Sequence, residues 1–255
     1  MATSKSVDRV LNILTRALDP TSESTVSAIG QDLNLPPATV YRHIASLTKA
    51  GYLHKAPKGT LVPGTTLLER FCKDTWHDLL ALHARPFVEE LSNRFEMTSH
   101  LGVFEEDMVT YIVKAEHESD KLFTVENKQL EGYCSGVGKM LLASLPEEAL
   151  EEYLDTAPFP RLTENTLTEA EELRAELAEV ASAGCAFDRQ EFDEDIYCAA
   201  VPVLGAFGTV TAALSLSGRP EVFTPERRQQ YLRELRDRSA EITRSVRETS
   251  LSTQE

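Results

Sequence analysis

The chain lacks the features that mark membrane and secreted proteins. No apolar run in its 255 residues approaches the length of a membrane-spanning helix, and the first ten residues lack the apolar core of a signal peptide. Its four cysteines form no CxxC pair, so they are expected to be free thiols in a reducing compartment. We therefore expect a cytoplasmic protein with no membrane partner, and this length suggests two domains.

The sequence patterns of common enzymes and metal sites are also missing. It contains no Ser-His-Asp elbow, no HExxH and no paired metal-ligand spacing, and a zinc site would need distant cysteines to converge. An enzyme would have to use Cys198 or Cys134 as nucleophile with His100 or His117 as base. Nothing in the sequence places these partners near each other. We therefore expect no catalytic residues, no metal and no cofactor.

Acidic residues are absent from one window of an otherwise acidic chain. The thirty-six positions between Asp32 and Glu69 carry four cations and no carboxylate, while the whole chain has a net charge of −15. Outside the window, 22 lysines and arginines stand against 41 acidic residues. A protein this acidic should be repelled by phosphate backbones, so the window is what a DNA-contacting surface requires. A chance gap or a solvated loop is the alternative.

The first seventy residues are typical of short helices followed by a hairpin. Apolar spacing predicts a helix over residues 6–18, a second helix capped by Ser24 or Thr25, and a third from Pro37 to a left-handed cap at Gly51. Two short strands, 52–55 and 60–63, would form a hairpin with a basic tip. Two short helices with a tight link and a basic hairpin behind them indicate a winged helix-turn-helix.

The third helix carries the predicted DNA contacts. Val40, Ile44 and Leu47 form its apolar stripe, so the opposite face, which offers donors and no carboxylate, must be exposed. Arg42 can bind guanine or phosphate, and the lysines suit backbone contacts; the alternative is that Arg42 only improves solubility. The residues expected to contact DNA are Pro37, Ala38, Thr39, Tyr41, Arg42, His43, Ser46, Lys49, Lys55 and Lys58.

The remainder of the chain alternates between helical and strand-like patterns. Helices are expected over 66–83, from Pro86 through residue 95, over 135–145, from residue 146, over 168–183 and from residue 224 to about 247; strands are expected over 98–104, 108–114, 122–126, 196–203 and 209–217. We assign residues 1–65 to the DNA-binding domain, 66–83 to a linker helix, 84–248 to a second domain and 249–255 to a disordered tail.

Two segments of the second domain suggest a ligand pocket. One face of strand 209–217 carries only small or hydroxyl side chains, which leaves room beside the sheet, although an ordinary solvent face is the alternative. The segment Ser135-Gly136-Val137-Gly138 opens a helix whose bare backbone N–H groups would attract an anion such as a carboxylate. It is not a nucleotide-binding P-loop, because Tyr133 and Met140 stand where that pattern needs glycine and Ser or Thr.

Several segments together resemble one family. The runs 6–14, 34–42 and 47–53, the segment 134–143 with its Gly-Lys and Leu-Ala pairs, and the later segments 198–203 and 213–218 are similar in order to the IclR family of bacterial transcriptional regulators. The resemblance covers roughly residues 4–247. The chain departs from the family pattern at two places. Asp195-Ile196-Tyr197 stands where the family usually has a glycine shortly before the cysteine, and Tyr133 stands where a histidine-like or aliphatic residue is commoner.

The resemblance implies an α+β protein that acts as a ligand-responsive, sequence-specific regulator. It would consist of a winged helix-turn-helix and a GAF-like effector-binding domain, an α/β unit with a curved antiparallel sheet. Its partners would be double-stranded operator DNA, a small-molecule carboxylate and further copies in a homodimer or dimer of dimers. The implied effector contacts are Tyr133, Gly136, Val137, Asp188, Cys198, Ser215 and Ser217. Tyr133 and Tyr197 could narrow the pocket or stack on an aromatic acid; the alternative is a second domain closed by its own side chains.

Overall fold

A computed structural model describes residues 5–19, 21, 23–56, 59–64, 67, 73–118, 122–205 and 208–252, with the backbone alone described for 73–75 and 247–252. The chain divides into two compact units, Met1–Trp76 and His77–Glu255. Within the described residues, no helix is both long and apolar enough to cross a membrane.

The first unit is a winged helix-turn-helix, which confirms the predicted fold. Its elements are α1 (Lys5–Ala17), α2 (Val26–Asp32), α3 (Pro37–Lys49) and the antiparallel strands β1 (Leu53–Lys55) and β2 (Leu61–Pro63). Its core is built from one apolar stripe of each helix and the first residue of each strand. The buried members are Ile13, Ala17, Ile29, Val40, Ile44, Leu47, Leu53 and Leu61.

Local chemistry fixes where these helices begin and end. Thr25 caps α2, because its hydroxyl accepts the N–H of Ala28 at 3.3 Å. The Ser24 hydroxyl accepts the N–H of Leu61 at 3.3 Å and so ties the start of α2 to the wing. After α3 the chain reverses at Gly51, whose φ of +76° is the left-handed conformation that favours glycine.

The second unit is a six-stranded antiparallel sheet with helices. Its strand order is β5-β4-β3-β8-β7-β6. In chain order its elements are α4 (Lys73–Phe95, which begins in the first unit), β3 (Thr98–Glu105), β4 (Met108–Ala115), β5 (Gln129–Glu131), α5 (Gly136–Leu142), α6 (Glu147–Leu154), α7 (Ala170–Ala183), β6 (Ala186–Arg189), β7 (Tyr197–Leu204), β8 (Val210–Gly218) and α8 (Pro225–Ser252).

Some expected boundaries are wrong. Pro86 does not start a helix but lies inside α4, where proline removes only one backbone hydrogen bond of a 23-residue helix. The expected linker helix over 66–83 falls partly outside the described residues, and its described part from Lys73 belongs to α4. The last helix runs to Ser252 instead of ending near residue 247, so the described part of the expected disordered tail is helical.

Two strands also differ from expectation. Residues 122–126 are not a strand, and the third strand of this meander is β5, which pairs with β4 through Leu130 and Val109. The segment around Asp188, where no strand was expected, is strand β6 and pairs with β7. Its carboxylate is therefore placed by the register of the sheet, directly opposite Cys198.

The small-residue face of β8 is buried, so its interpretation as a solvent face is wrong. Helix α5 packs on this face, where Val137 and Met140 join a core cluster with Ala200 and Ala213. Small side chains on β7 and β8 let the helix approach the sheet closely. Helix α8 packs along β7 and β8. The sheet is thus buried where β3, β7 and β8 meet.

Candidate DNA-binding surface and effector cavity

The inward stripe of α3 is confirmed, because Val40, Ile44 and Leu47 are its buried residues. The opposite face is the candidate DNA-binding surface. Its predicted contacts are exposed at Pro37, Ala38, Tyr41, Arg42, Ser46 and Lys49 and half-buried at Thr39 and His43. Lys55 is exposed on β1, whereas Lys58 lies outside the described residues.

The acidic residue that precedes this surface in the sequence is already paired. Asp32, the last acidic residue before the window, accepts a 2.7 Å hydrogen bond from Nε of Arg16. Tyr41 is 59% exposed, and Nζ of Lys55 lies 5.9 Å from the centre of its ring. The surface therefore combines exposed cations with an exposed aromatic ring that can contact sugar or phosphate.

A small cavity lies in the second unit between the start of α5 and the sheet. Its polar side is formed by Ser135, Gly136, Asp188, Cys198 and Ser217, of which all but Ser135 were predicted contacts. The remaining lining residues are apolar or aromatic except for Thr124, and the His100 ring also carries polar nitrogens. They consist of His100, Tyr111, Leu122, Phe123, Thr124, Leu130, Phe192 and Ile196.

Asp188 is the buried acid of the cavity. It is 3% exposed, and its Oδ1 accepts the backbone N–H groups of Glu191 at 2.7 Å and Phe192 at 3.4 Å. Burial raises the pKa of Asp188 to about 7, against the lowering effect of these N–H donors. Asp188 thus sets the turn that carries Phe192 into the cavity wall.

A buried ion network holds the same turn from behind. Nζ of Lys139, on α5, donates to Glu191 at 2.6 Å and to Glu176, on α7, at 2.9 Å. Arg189 donates to the same oxygen of Glu176 at 2.7 Å. Because Lys139 and Glu191 are buried, the pair is screened little by water. The network binds helix α5, helix α7 and the turn after β6 into one rigid support.

His100 supplies an unsatisfied polar atom. Its Nε2 lies 2.8 Å from the Thr124 hydroxyl, its ring stacks on Tyr111 at 4.3 Å, and its Nδ1 has no hydrogen-bond partner among the described residues. Burial lowers its pKa to about 3, so the imidazole is neutral. An unpartnered buried nitrogen is costly, and a bound polar molecule would relieve that cost.

The cavity brings Cys198 and His100 together, as the enzyme alternative required, but their chemistry argues against nucleophilic catalysis. Burial raises the pKa of the Cys198 thiol to about 12 and raises that of Cys134 as well. The thiolate is the nucleophile, so both cysteines are inert near neutral pH. The described residues also hold no group of three His, Cys, Asp or Glu side chains that could bind a metal.

The glycines of the α5 start serve close packing. A Cβ on Gly136 would lie 3.0 Å from Sγ of Cys198 and 3.3 Å from the backbone N of Asp188. A Cβ on Gly138 would lie 2.1 Å from the carbonyl oxygen of Gly132. The N–H of Gly138 donates to the Ser135 hydroxyl oxygen at 3.0 Å, so this donor is unavailable to an anion.

Three predicted contacts do not line the cavity. Tyr133 is buried among α6 and α7 residues, where it stacks on Phe159 and donates to the carbonyl of Pro160. Val137 points into the core, and Ser215 lies fully buried beside the cavity without lining it. The suggestion that Tyr133 and Tyr197 narrow the cavity is therefore wrong. Tyr197 packs on Phe223 and accepts a hydrogen bond from Arg228.

Sequence reasoning missed the aromatic wall. Phe123 stacks on Phe192 with ring centres 5.0 Å apart, and Phe123 is 54% exposed. The cavity that both rings line has a volume of about 20 Å³. A second cleft of about 130 Å³ shares Tyr111, Phe123, Thr124 and Leu130 with it. The exposed apolar run at Phe123 was the only sequence signal for this wall, and it had been interpreted as a strand.

Comparison with known proteins is consistent with both units. Residues 6–57 match the IclR helix-turn-helix domain, and residues 76–244 match the family described as the bacterial transcriptional regulator IclR C-terminal. The regulator KdgR of Escherichia coli K12 is 30% identical over 244 residues, covering 93% of this chain and 91% of that protein.

Solved structures agree over nearly the whole chain. An IclR homologue from Microbacterium hydrocarbonoxydans, solved in complex with 4-hydroxybenzoate, is 26% identical with a TM-score of 0.63 over 95% of this chain and 99% of its own. The Thermotoga maritima IclR is 26% identical with a TM-score of 0.62 over 95% and 98%. With both sequence families matched in order and the fold shared end to end, the chain belongs to the IclR family of DNA-binding transcriptional regulators.

Proposed function

We propose that the chain represses or activates transcription by binding operator DNA through α3 and the wing, as a homodimer or dimer of dimers. A small carboxylic acid bound in the cavity of the second unit would control that binding. The DNA contacts would be those of the exposed α3 face, with Arg42 as the principal base or phosphate contact. The two half-sites would lie about 34 Å apart or a multiple of it.

The observation that carries the effector proposal is the mixed lining of the cavity. Its lining combines the polar side chains of Asp188, Cys198, Ser217 and His100, whose buried Nδ1 has no hydrogen-bond partner among the described residues, with several aromatic rings. Such a mixed lining suits a molecule with a polar group on a flat apolar body. The 4-hydroxybenzoate bound by the Microbacterium homologue has this shape. We therefore favour an aromatic acid for this chain.

The cavity volume of about 20 Å³ is far below the roughly 300–1,000 Å³ typical of ligand sites. An aromatic acid must therefore displace a side chain, and Phe123 is the one that is more than half exposed. Moving it would join the cavity to the neighbouring cleft. The same small volume favours the second candidate function, a DNA-binding regulator whose second domain is closed by its own side chains and senses nothing.

Effector binding would act by changing the spacing of two DNA-binding units in a dimer. The effector must bind the two arrangements unequally, since otherwise no shift in DNA affinity results. We propose that segment 66–83 transmits this change.

Calorimetry with 4-hydroxybenzoate and smaller carboxylates separates the two candidates. We expect at least one of these acids to bind both the wild type and a Ser182→Leu control, whose substitution lies on the exposed face of α7. Ser217→Leu, which fills the cavity, should abolish binding and leave DNA affinity within twofold. Equal binding to Ser217→Leu would exclude the cavity, and absence of binding by every acid would favour the closed domain.

A further inference from the structure

Asp188 faces the cavity without a cation to balance it. None of the described residues that line the cavity is lysine or arginine, and the one cation that lines the neighbouring cleft, Lys128, is exposed to solvent. The two N–H groups that Oδ1 accepts come from its own turn, and they are dipoles rather than charges. A carboxylate effector placed beside Asp188 would therefore meet a second carboxylate.

The nearby cations are already engaged. Lys139 binds Glu191 and Glu176, and Arg189 binds Glu176. Together with Asp188 these groups comprise three carboxyls and two cations, so one carboxyl of the cluster remains uncompensated. Burial also raises the pKa of Glu191, but Glu191 has Lys139 at 2.6 Å and Asp188 has no such partner. Of these two carboxyls, Asp188 is therefore the one expected to keep its proton, because no cation stabilises its ionised form directly.

The other ionisable groups around Asp188 supply no positive charge. Cys198 on β7 lies opposite it in the sheet, and Tyr111 on β4 and Cys134 before α5 contribute only repulsion once ionised. Burial keeps all three in their neutral protonated forms near pH 7. His100 on β3 is neutral for the same reason. The ionisable groups that line the cavity beside Asp188 are thus neutral near pH 7, and the charges that act on Asp188 are those of Glu191 and Lys139.

We propose that Asp188 binds the effector as a carboxylic acid, donating its proton in a hydrogen bond to the effector carboxylate. This inference rests on the proposed function and specifies its chemistry. The proton balance is simple: where Asp188 is ionised beforehand, binding takes one proton from solvent, and where it is protonated no proton moves. Two carboxyls that share one proton form a strong short contact, whereas two ionised carboxylates in one buried site repel each other. The pKa of about 7 for Asp188 makes the acid form available near neutral pH.

The proposal fixes the direction of the pH dependence. A carboxylate should bind more weakly as the pH rises and Asp188 loses its proton. A cationic ligand would show the reverse, and a neutral polyol would depend little on pH. The direction in which affinity changes with pH therefore reports the charge class of the ligand as well as the protonation state of Asp188.

Calorimetry with 4-hydroxybenzoate between pH 6.0 and 8.5 tests the inference, because its carboxyl stays ionised over this range. For wild type and the exposed control Asp195→Asn, we expect affinity to fall by about 30-fold, the ratio of protonated Asp188 at the two pH values for a pKa near 7. Asp188→Asn keeps a donor whose charge does not change with pH, so the affinity of this variant, whatever its absolute value, should change by less than twofold between pH 6.0 and 8.5. A pH-independent affinity in wild type, or an equal fall in Asp188→Asn, would overturn the proposal.

A second measurement needs no ligand. Infrared difference spectra of the full chain, wild type minus Asp188→Asn, should show a protonated carboxyl band that disappears with a midpoint near pH 7. A band already lost below pH 5 would overturn the assignment. If this band titrates near pH 7 while 4-hydroxybenzoate and smaller acids fail to bind at pH 6.0, the carboxylate effector is wrong and the protonated Asp188 stands. If acids bind but the band is lost below pH 5, the proposed function stands and this inference fails.

Discussion

Lys139 and Glu191 form a 2.6 Å ion pair in which the lysine side chain is fully buried. The lysine comes from the helix that starts at the cavity, and the glutamate comes from the turn that carries Phe192. The pair therefore joins the two sides of the proposed effector site. Its contribution is positional, because neither residue lines the cavity.

Removing Lys139 alone should destabilise the chain. Lys139→Met leaves Glu191 and Glu176 without their buried partner, and breaking such a pair costs about 3–5 kcal/mol. Urea unfolding of the second unit should show this loss, and the double variant Lys139→Met with Glu191→Gln should recover much of it. The exposed control Lys128→Met should change stability by less than about 0.5 kcal/mol. A loss of unfolding free energy in the double variant as large as in the single variant would contradict a specific pairing of Lys139 with Glu191.

Arg42→Ala should weaken operator binding. Loss of one phosphate or base contact should reduce affinity by about 1–3 kcal/mol and, if the contact is to phosphate, lower the salt dependence by about one unit. Fluorescence anisotropy at several salt concentrations measures both quantities. Arg233→Ala, an exposed arginine of α8, is the matched control. Unchanged binding by Arg42→Ala would exclude α3 as the recognition helix.

Gly136→Ala should reduce stability and effector affinity together. Its added Cβ would press on Sγ of Cys198 and on the backbone of Asp188, so helix α5 or strand β6 must shift. Overpacking of this kind costs about 1–3 kcal/mol. Thermal unfolding and calorimetry check the two effects. Ala143→Ser, at the other end of α5, is the comparison, and equal behaviour of the two variants would show that contact at Gly136 is not tight.

The stability of the chain should depend on pH through Asp188. Its folded pKa of about 7 exceeds the ordinary value of 3.8, so the folded state holds the proton more tightly than the unfolded state. That contribution is fully present below about pH 4 and is lost as the pH rises to 7. Relative to Asp188→Asn, wild type should lose about 2–3 kcal/mol between pH 5 and pH 8. A constant difference in urea unfolding across this range would refute the raised pKa.

The sequence predicted the DNA-binding unit better than the cavity, for a physical reason. The stripe Val40, Ile44 and Leu47 repeats every three or four residues, and the acid-free window is contiguous, so both signals are local. The cavity instead gathers residues from strands β3 to β8, from the start of α5 and from two loops, and these segments lie far apart in the sequence. No strand was expected around Asp188, and only its pairing with β7 identifies it as a strand residue.

Tyr133 and Phe123 show the same limit for single residues. Tyr133 lies two residues before the cavity residue Ser135 in the sequence. Its side chain is nevertheless buried in the core formed with α6 and α7, where its ring stacks on that of Phe159. Phe123 lies ten or more residues from every predicted contact in the sequence, yet it lines the cavity and stacks on Phe192. Which side chain of a segment faces a cavity depends on long-range packing that local periodicity does not encode.

Selection of duplexes from a random pool tests the central claim most directly. Wild type should enrich one sequence with two related half-sites spaced by about one helical turn or a multiple of it, while Arg42→Ala should enrich it poorly or not at all. Enrichment of no sequence by wild type, or the same sequence enriched equally by both proteins, would contradict the assignment of α3 as the element that selects DNA.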